Sequence, residues 1–94
     1  MFIISLTYKV SLERVEQYIS EHVAFLDAQY TQGHFLLSGR KEPRTGGVIL
    51  ANMVSKEELI EILKQDPFQR EGIADYEITQ MVPTKASKEL ESLL

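Results

Sequence analysis

The chain opens on Phe2-Ile3-Ile4-Ser5-Leu6-Thr7-Tyr8-Lys9-Val10, where Phe2, Ile4, Leu6, Tyr8 and Val10 share one face and Ser5, Thr7 and Lys9 fall mostly on the other. Period-two alternation with β-branched and aromatic residues predicts a strand. The period changes at Ser11, whose hydroxyl suits a helix N-cap, and Glu13 complements the positive helix end. Through residue 32 an apolar stripe runs Leu12, Val15, Ile19, Leu26 and Tyr30, with His22 filling the gap and Phe25 widening it. Glu16, Gln17, Glu21 and Gln29 are expected to look outward, and Gly33 suits a left-handed helix stop. His34 to Arg40 and Gly47 to Val54 predict a hairpin joined by a moderately long, mobile loop, with Pro43 and Gly46-Gly47 as its turn residues. Ser55 and Glu58 form a capping box ahead of Leu59, Ile62 and Leu63 on one face of a second helix. Asp66-Pro67 closes that helix, because proline disfavours helical geometry in the residue before it. Phe68 to Ala74 reads as a connection. Asp75 to Val82 reads as a fourth strand, with Tyr76, Ile78 and Val82 on one side and Thr79 on the other.

The order β-α-β-β-α-β with right-handed crossovers predicts an α+β, ferredoxin-like split βαβ sandwich, an antiparallel sheet with two helices on one face. Residues 1–83 form this domain, and 84–94 a charged tail in which a short helix is the one regular element expected. The other sheet face has no helix to cover it. Yet Val48 and Leu50 oppose Ile49, Ala51 and Met53 on the third strand, and Phe35 and Leu37 oppose Leu36 on the second. A sheet apolar on both faces needs cover on both, so a homodimer through the sheet face, a dimeric α+β barrel, is expected. The tail folding back over the sheet is the competing arrangement.

With 94 residues the chain is long enough for one core. Its 10 basic residues against 14 acidic ones give a formal charge of −4, which argues against a nucleic-acid partner. Cysteine is absent, which excludes disulfides, thiolate metal sites and a cysteine nucleophile. No apolar run approaches the roughly 20 residues of a membrane span, and the first residues do not form a signal sequence, so a cytoplasmic location and no membrane partner are expected.

His22 lies on the core-facing stripe, where an ionisable ring needs a partner. It either donates to a backbone carbonyl as a structural residue, or serves as a general acid or base. Asp66 is ordinary Asp-Pro turn chemistry, or a carboxylate that accepts the other ring proton of His22 and fixes its tautomer. Ser38-Gly39-Arg40 ends the second strand: Ser38 adds a hydroxyl and Gly39 permits close approach of a ligand or a backbone. Arg40 and Arg44 flank the loop, as solvated charges or as holders of an anionic substrate. Ser38 lacks the strained elbow of a triad nucleophile. His34 is expected to be exposed, and its spacing to His22 makes no metal site. Tyr8 and Phe68 read as core or pocket wall. The glycines compose no phosphate-binding loop, so a nucleotide site is unsupported; no cofactor is expected.

Taken together, these residues resemble the YciI-like (YCII-related domain) family. The resemblance rests on His22, on Gly33 with Phe35-Leu36-Leu37-Ser38-Gly39, on Gly46-Gly47, and on Asp66-Pro67-Phe68 leading to Gly72-Ile73. It implies a dimeric ferredoxin-like α+β barrel and a pocket in which His22 is the acid/base and Asp66 its orienting partner. Ser38 and Gly39 would stand at the pocket wall; Arg40 and Phe68 join them in the expected substrate-binding set from the reading of the residues and not from the resemblance. It implies chemistry of the lyase, dehydrochlorinase or isomerase type on a small aromatic or enolisable molecule. Where the family often has proline after Ser-Gly, this chain has Arg40, which changes the charge of the pocket. A non-catalytic small-ligand-binding or accessory dimer is the alternative from another class, and a purely structural dimer the third.

Overall fold

The computed structural model describes residues 1–52 and 54–94. Strands β1 (Phe2–Tyr8), β2 (Phe35–Arg40), β3 (Gly46–Ala51) and β4 (Ala74–Gln80) form one sheet in the order β2-β3-β1-β4. The β1–β3, β1–β4 and β2–β3 pairings are all antiparallel. Each crossover skips one strand, so this is the ferredoxin-like sandwich expected from the element order. Met53, expected on the third strand, lies outside the described residues.

The first helical region is two pieces, α1 (Leu12–Glu16) and α2 (Ile19–Thr31), where the periodicity predicted one. Ser11 caps α1 as expected, accepting from the Arg14 amide at 3.3 Å. Between the pieces the ladder tightens to three-residue steps, from Gln17 N–H to Arg14 O and from Tyr18 N–H to Val15 O. A stripe extrapolated as one straight helix therefore fails at its ends. Leu12 is 46% exposed, whereas Phe25 and Gln29 are buried. Gln29, expected to look outward, instead turns its Oε1 to the His34 ring at 2.9 Å. That bond satisfies the buried amide oxygen and leaves His34 half-buried rather than exposed.

Helix α3 (Lys56–Leu63) begins at the predicted Ser55 cap, which accepts from the Glu58 amide at 3.1 Å. Asp66-Pro67 does more than stop a helix. Asp66 N-caps a one-turn helix, α4 (Pro67–Arg70), with proline at its favoured first position, so the expected connection contains an element. A 3-10 turn (Lys88–Leu93) follows in the tail.

The core lies between the helices and the inner sheet face. Phe2, Ile4, Leu6, Ile49 and Ala51 meet Val15, Phe25, Leu59, Leu63 and Phe68 there, all buried. A bulge between Phe35 and Leu37 overturns the simple alternation expected of β2. Phe35 points inward at 3% exposure and Leu37 outward at 62%. Beyond the bulge Ser38 pairs with buried Ile49, and Arg40 with Gly47, so Ser38 and Arg40 join the helix-covered face.

The opposite face carries Leu37, Leu50 and Ile3 in one row across β2, β3 and β1, ending at Thr79 of β4. The adjacent row runs Gly39, Val48, Ser5 and Glu77. With Leu37 this exposed, the tail does not cover the β2 side of that face. Val82, expected on β4 on the side of Tyr76 and Ile78, lies past the end of the strand and is 76% exposed.

Candidate functional site

Asp66 is 0% exposed, and its position at the α4 N-cap aims its carboxylate at three donors. Oδ1 accepts from the His22 ring Nδ1 at 2.8 Å and from the Phe68 amide at 3.0 Å. Oδ2 accepts from the Tyr76 hydroxyl. A buried carboxylate is costly unless its oxygens are satisfied, and here both are. Because an ionised carboxylate can only accept, Nδ1 carries the proton, and in the neutral ring the lone pair is then on Nε2. No hydrogen bond among the described residues engages Nε2.

The same turn that supplies the carboxylate also supplies a platform. Phe68 lies parallel to the imidazole, with ring centroids 4.0 Å apart and 5° between planes. Asp66 therefore holds the ring by its edge and Phe68 by its face. Tyr8 meets Phe68 edge-on at 5.9 Å. The His22 side chain is 13% exposed, and that exposure opens onto a cavity of about 260 Å3. The size falls near the lower end for ligand pockets, about 300–1,000 Å3, and suits a single small ring.

The cavity brings together residues from both halves of the chain. Leu6, Ile19, Leu26 and Ile49 give apolar walls, Tyr8 and Ser38 give hydroxyls, and Arg40 and Arg44 give charge. Gly39 and Phe68 also border it, so each candidate except buried Asp66 lines the space directly. The Ser38 hydroxyl is hydrogen-bonded to the Tyr30 hydroxyl at 2.7 Å. A Cβ on Gly39 would meet open space, so no backbone contact demands glycine there. Close approach is tightest at Gly46, where an added Cβ would lie 1.8 Å from the Leu6 carbonyl oxygen.

The hairpin loop makes exposed side-chain contacts on two sides. Lys41 Nζ donates to Thr7 Oγ1 at 3.0 Å, and Arg44 pairs with Glu16 of α1 at 2.6 Å. That ion pair also raises the Arg44 guanidinium above its usual value.

Tyr76 and Tyr30 are the partners that reading the sequence missed. Tyr76 stood with Ile78 and Val82 on one side of a predicted strand, and a phenol hydroxyl buried there needs a partner, so a signal existed without naming Asp66 as that partner. Burial, then the charge and hydrogen bond of Asp66, hold the Tyr76 hydroxyl well above the ordinary tyrosine range. It remains a proton donor to the carboxylate throughout the neutral range. Among the described residues no group of three His, Cys, Asp or Glu side chains could hold a metal ion, and no helix is long and apolar enough to cross a membrane.

The fold has a solved counterpart. The dehydrochlorinase of 5-chloro-2-hydroxyhydroquinone (TftG) from Burkholderia phenoliruptrix AC1100, determined in complex with 2,5-dihydroxybenzoquinone, superposes with a TM-score of 0.75. The match covers 94% of this chain and 96% of that one at 18% identity, a likeness of fold. Among curated proteins none matches the chain. The model of the YCII-related domain matches residues 1–82, and the chain therefore belongs to the YCII-related domain family.

Proposed function

We propose that the protein is a small-molecule enzyme in which His22 and Asp66 act as an acid–base dyad on an aromatic or enolisable ring compound. The observation that carries this reading is the His22 Nδ1 to Asp66 Oδ1 bond of 2.8 Å, which leaves Nε2 as the ring nitrogen available to the cavity. In the proposed step Nε2 takes a proton from a C–H or O–H of the substrate. The electron pair left behind moves into the ring toward an oxygen, and Asp66 stabilises the imidazolium that forms. Return of the proton at another atom makes the reaction an isomerisation. Departure of an anionic leaving group makes it an elimination. Ser38 or Arg40 contacts the substrate oxygen on which charge develops.

The likeness to a dehydrochlorinase solved with a dihydroxyquinone supports a small oxygenated ring as the substrate. We further propose that two copies pair through the open sheet face, where Leu37, Leu50, Ile3 and Val48 lie together.

The test is hydrogen–deuterium exchange at the ring positions of 2,5-dihydroxybenzoquinone, followed by NMR in D2O. The native chain should catalyse exchange, and His22→Gln should slow it by about 10²–10⁴-fold. An equal rate in the variant removes His22 from the mechanism. Saturable binding without catalysed exchange would instead favour the ligand-binding module.

A further inference from the structure

The cavity differs in charge from the molecule that contains it. The chain carries a net charge of −4, yet the charged side chains fixed in sign on the cavity wall are Arg40 and Arg44, and no carboxylate lines it. Asp66 stands behind the imidazole, 0% exposed. The two arginines are not equivalent. Arg44 is committed to Glu16 at 2.6 Å, and an incoming anion would compete with that carboxylate. Arg40 has no ion-pair partner among the described residues.

The sheet explains why Arg40 is both placed and open. The β2 bulge turns Arg40 to the helix-covered side, opposite Gly47. Gly47 has no side chain to cover the guanidinium, and substitution there is constrained, because an added Cβ would lie 2.9 Å from the Gly39 carbonyl oxygen. Ser38 precedes it by two positions on the same side, with its hydroxyl held by Tyr30. A planar guanidinium with a free fork matches a carboxylate or a pair of ring oxygens.

We propose that this cavity selects ring compounds carrying an anionic group, a carboxylate or an ionised phenol, and that Arg40 is the residue that selects them. Its position rests on the reading above, in which His22 acts on the ring of the same molecule. The anionic group is held by Arg40, the ring body packs against the apolar walls, and the reacting position is presented to Nε2.

The test uses a matched pair, 2,5-dihydroxybenzoate and its methyl ester, titrated into the full chain by calorimetry at low and moderate salt. The acid should bind at least about tenfold more tightly than the ester, and the preference should shrink as salt rises. Arg40→Gln should weaken the acid about tenfold and leave the ester within about twofold, showing that the pocket is intact. His22→Gln should keep the preference for the acid. Equal binding of acid and ester, binding of neither, or a preference that survives Arg40→Gln or disappears with Arg44→Gln alone overturns the assignment. The two readings fail separately. Loss of the acid preference with ring exchange still dependent on His22 removes the anion site and keeps the dyad. A persistent preference with exchange indifferent to His22 does the reverse.

Discussion

At the scale of the residue, Asp66 shows how one side chain can serve structure and site together. Its carboxylate caps α4, accepts the His22 proton and accepts the Tyr76 hydroxyl. Tyr76 is the partner with a consequence for pH. Its hydroxyl in the folded chain titrates well above the ordinary tyrosine value, chiefly because it is buried and then because Asp66 is charged. An unfolded tyrosine loses its proton near pH 10. Above that pH the unfolded state binds fewer protons than the folded one, so stability falls as pH rises. Tyr76→Phe should therefore flatten the decline above about pH 10, where one such group contributes up to roughly 1.4 kcal/mol per pH unit. At neutral pH the same variant should cost about 1–3 kcal/mol, because Oδ2 of a buried carboxylate loses its donor. Urea denaturation across the pH range checks both, and equal alkaline slopes would remove Tyr76 from the linkage.

At the scale of the element, the β1–β3 pairing is the tightest geometric requirement near the site. Thr7 stands opposite Gly46 and Leu6 opposite Gly47. A methyl group on Gly46 would press on Leu6 O at 1.8 Å, Leu6 C at 2.7 Å and Thr7 Cα at 3.0 Å, all backbone atoms that cannot rotate aside. Gly46→Ala should destabilise the chain by about 3 kcal/mol or more, read as a lower denaturation midpoint. Wild-type stability in this variant would mean the register at Leu6–Gly47 is wrong. The bulge in β2 matters at the same scale for a different reason. A strict period of two from Phe35 would have placed Ser38 and Arg40 on the open face; the extra residue turns them inward.

At the scale of the whole molecule, the two sheet faces divide the work. One face is covered by helices and holds core and cavity. The other carries an apolar row on β2, β3 and β1 that gives way to Thr79 and Glu77 on β4. Leu37, 62% exposed on the edge strand β2, belongs to the proposed dimer contact. Leu37→Asp combined with Leu50→Asp should convert the proposed dimer to monomer, because burying two unpaired carboxylates against an apolar partner costs several kcal/mol. Sedimentation of the native chain at micromolar concentration decides it: a native monomer overturns the dimer.

The sequence by itself determined the order and type of the main elements, through apolar periods of two and near 3.6 and through the caps at Ser11 and Ser55. Those are local properties, carried by neighbours in the chain. It also singled out His22 and Asp66 as residues needing a partner, without showing that they meet 44 positions apart. Only the tertiary structure decided that, because α4 is too short to be read from a period and its cap aims Asp66 at a ring on another helix. It likewise decided the bulge that turns Arg40 inward, the break that buries Gln29, and Tyr76 as the third donor to the carboxylate. Each of these depends on what lies across the sheet or the core, and a periodic pattern carries no record of distance in space.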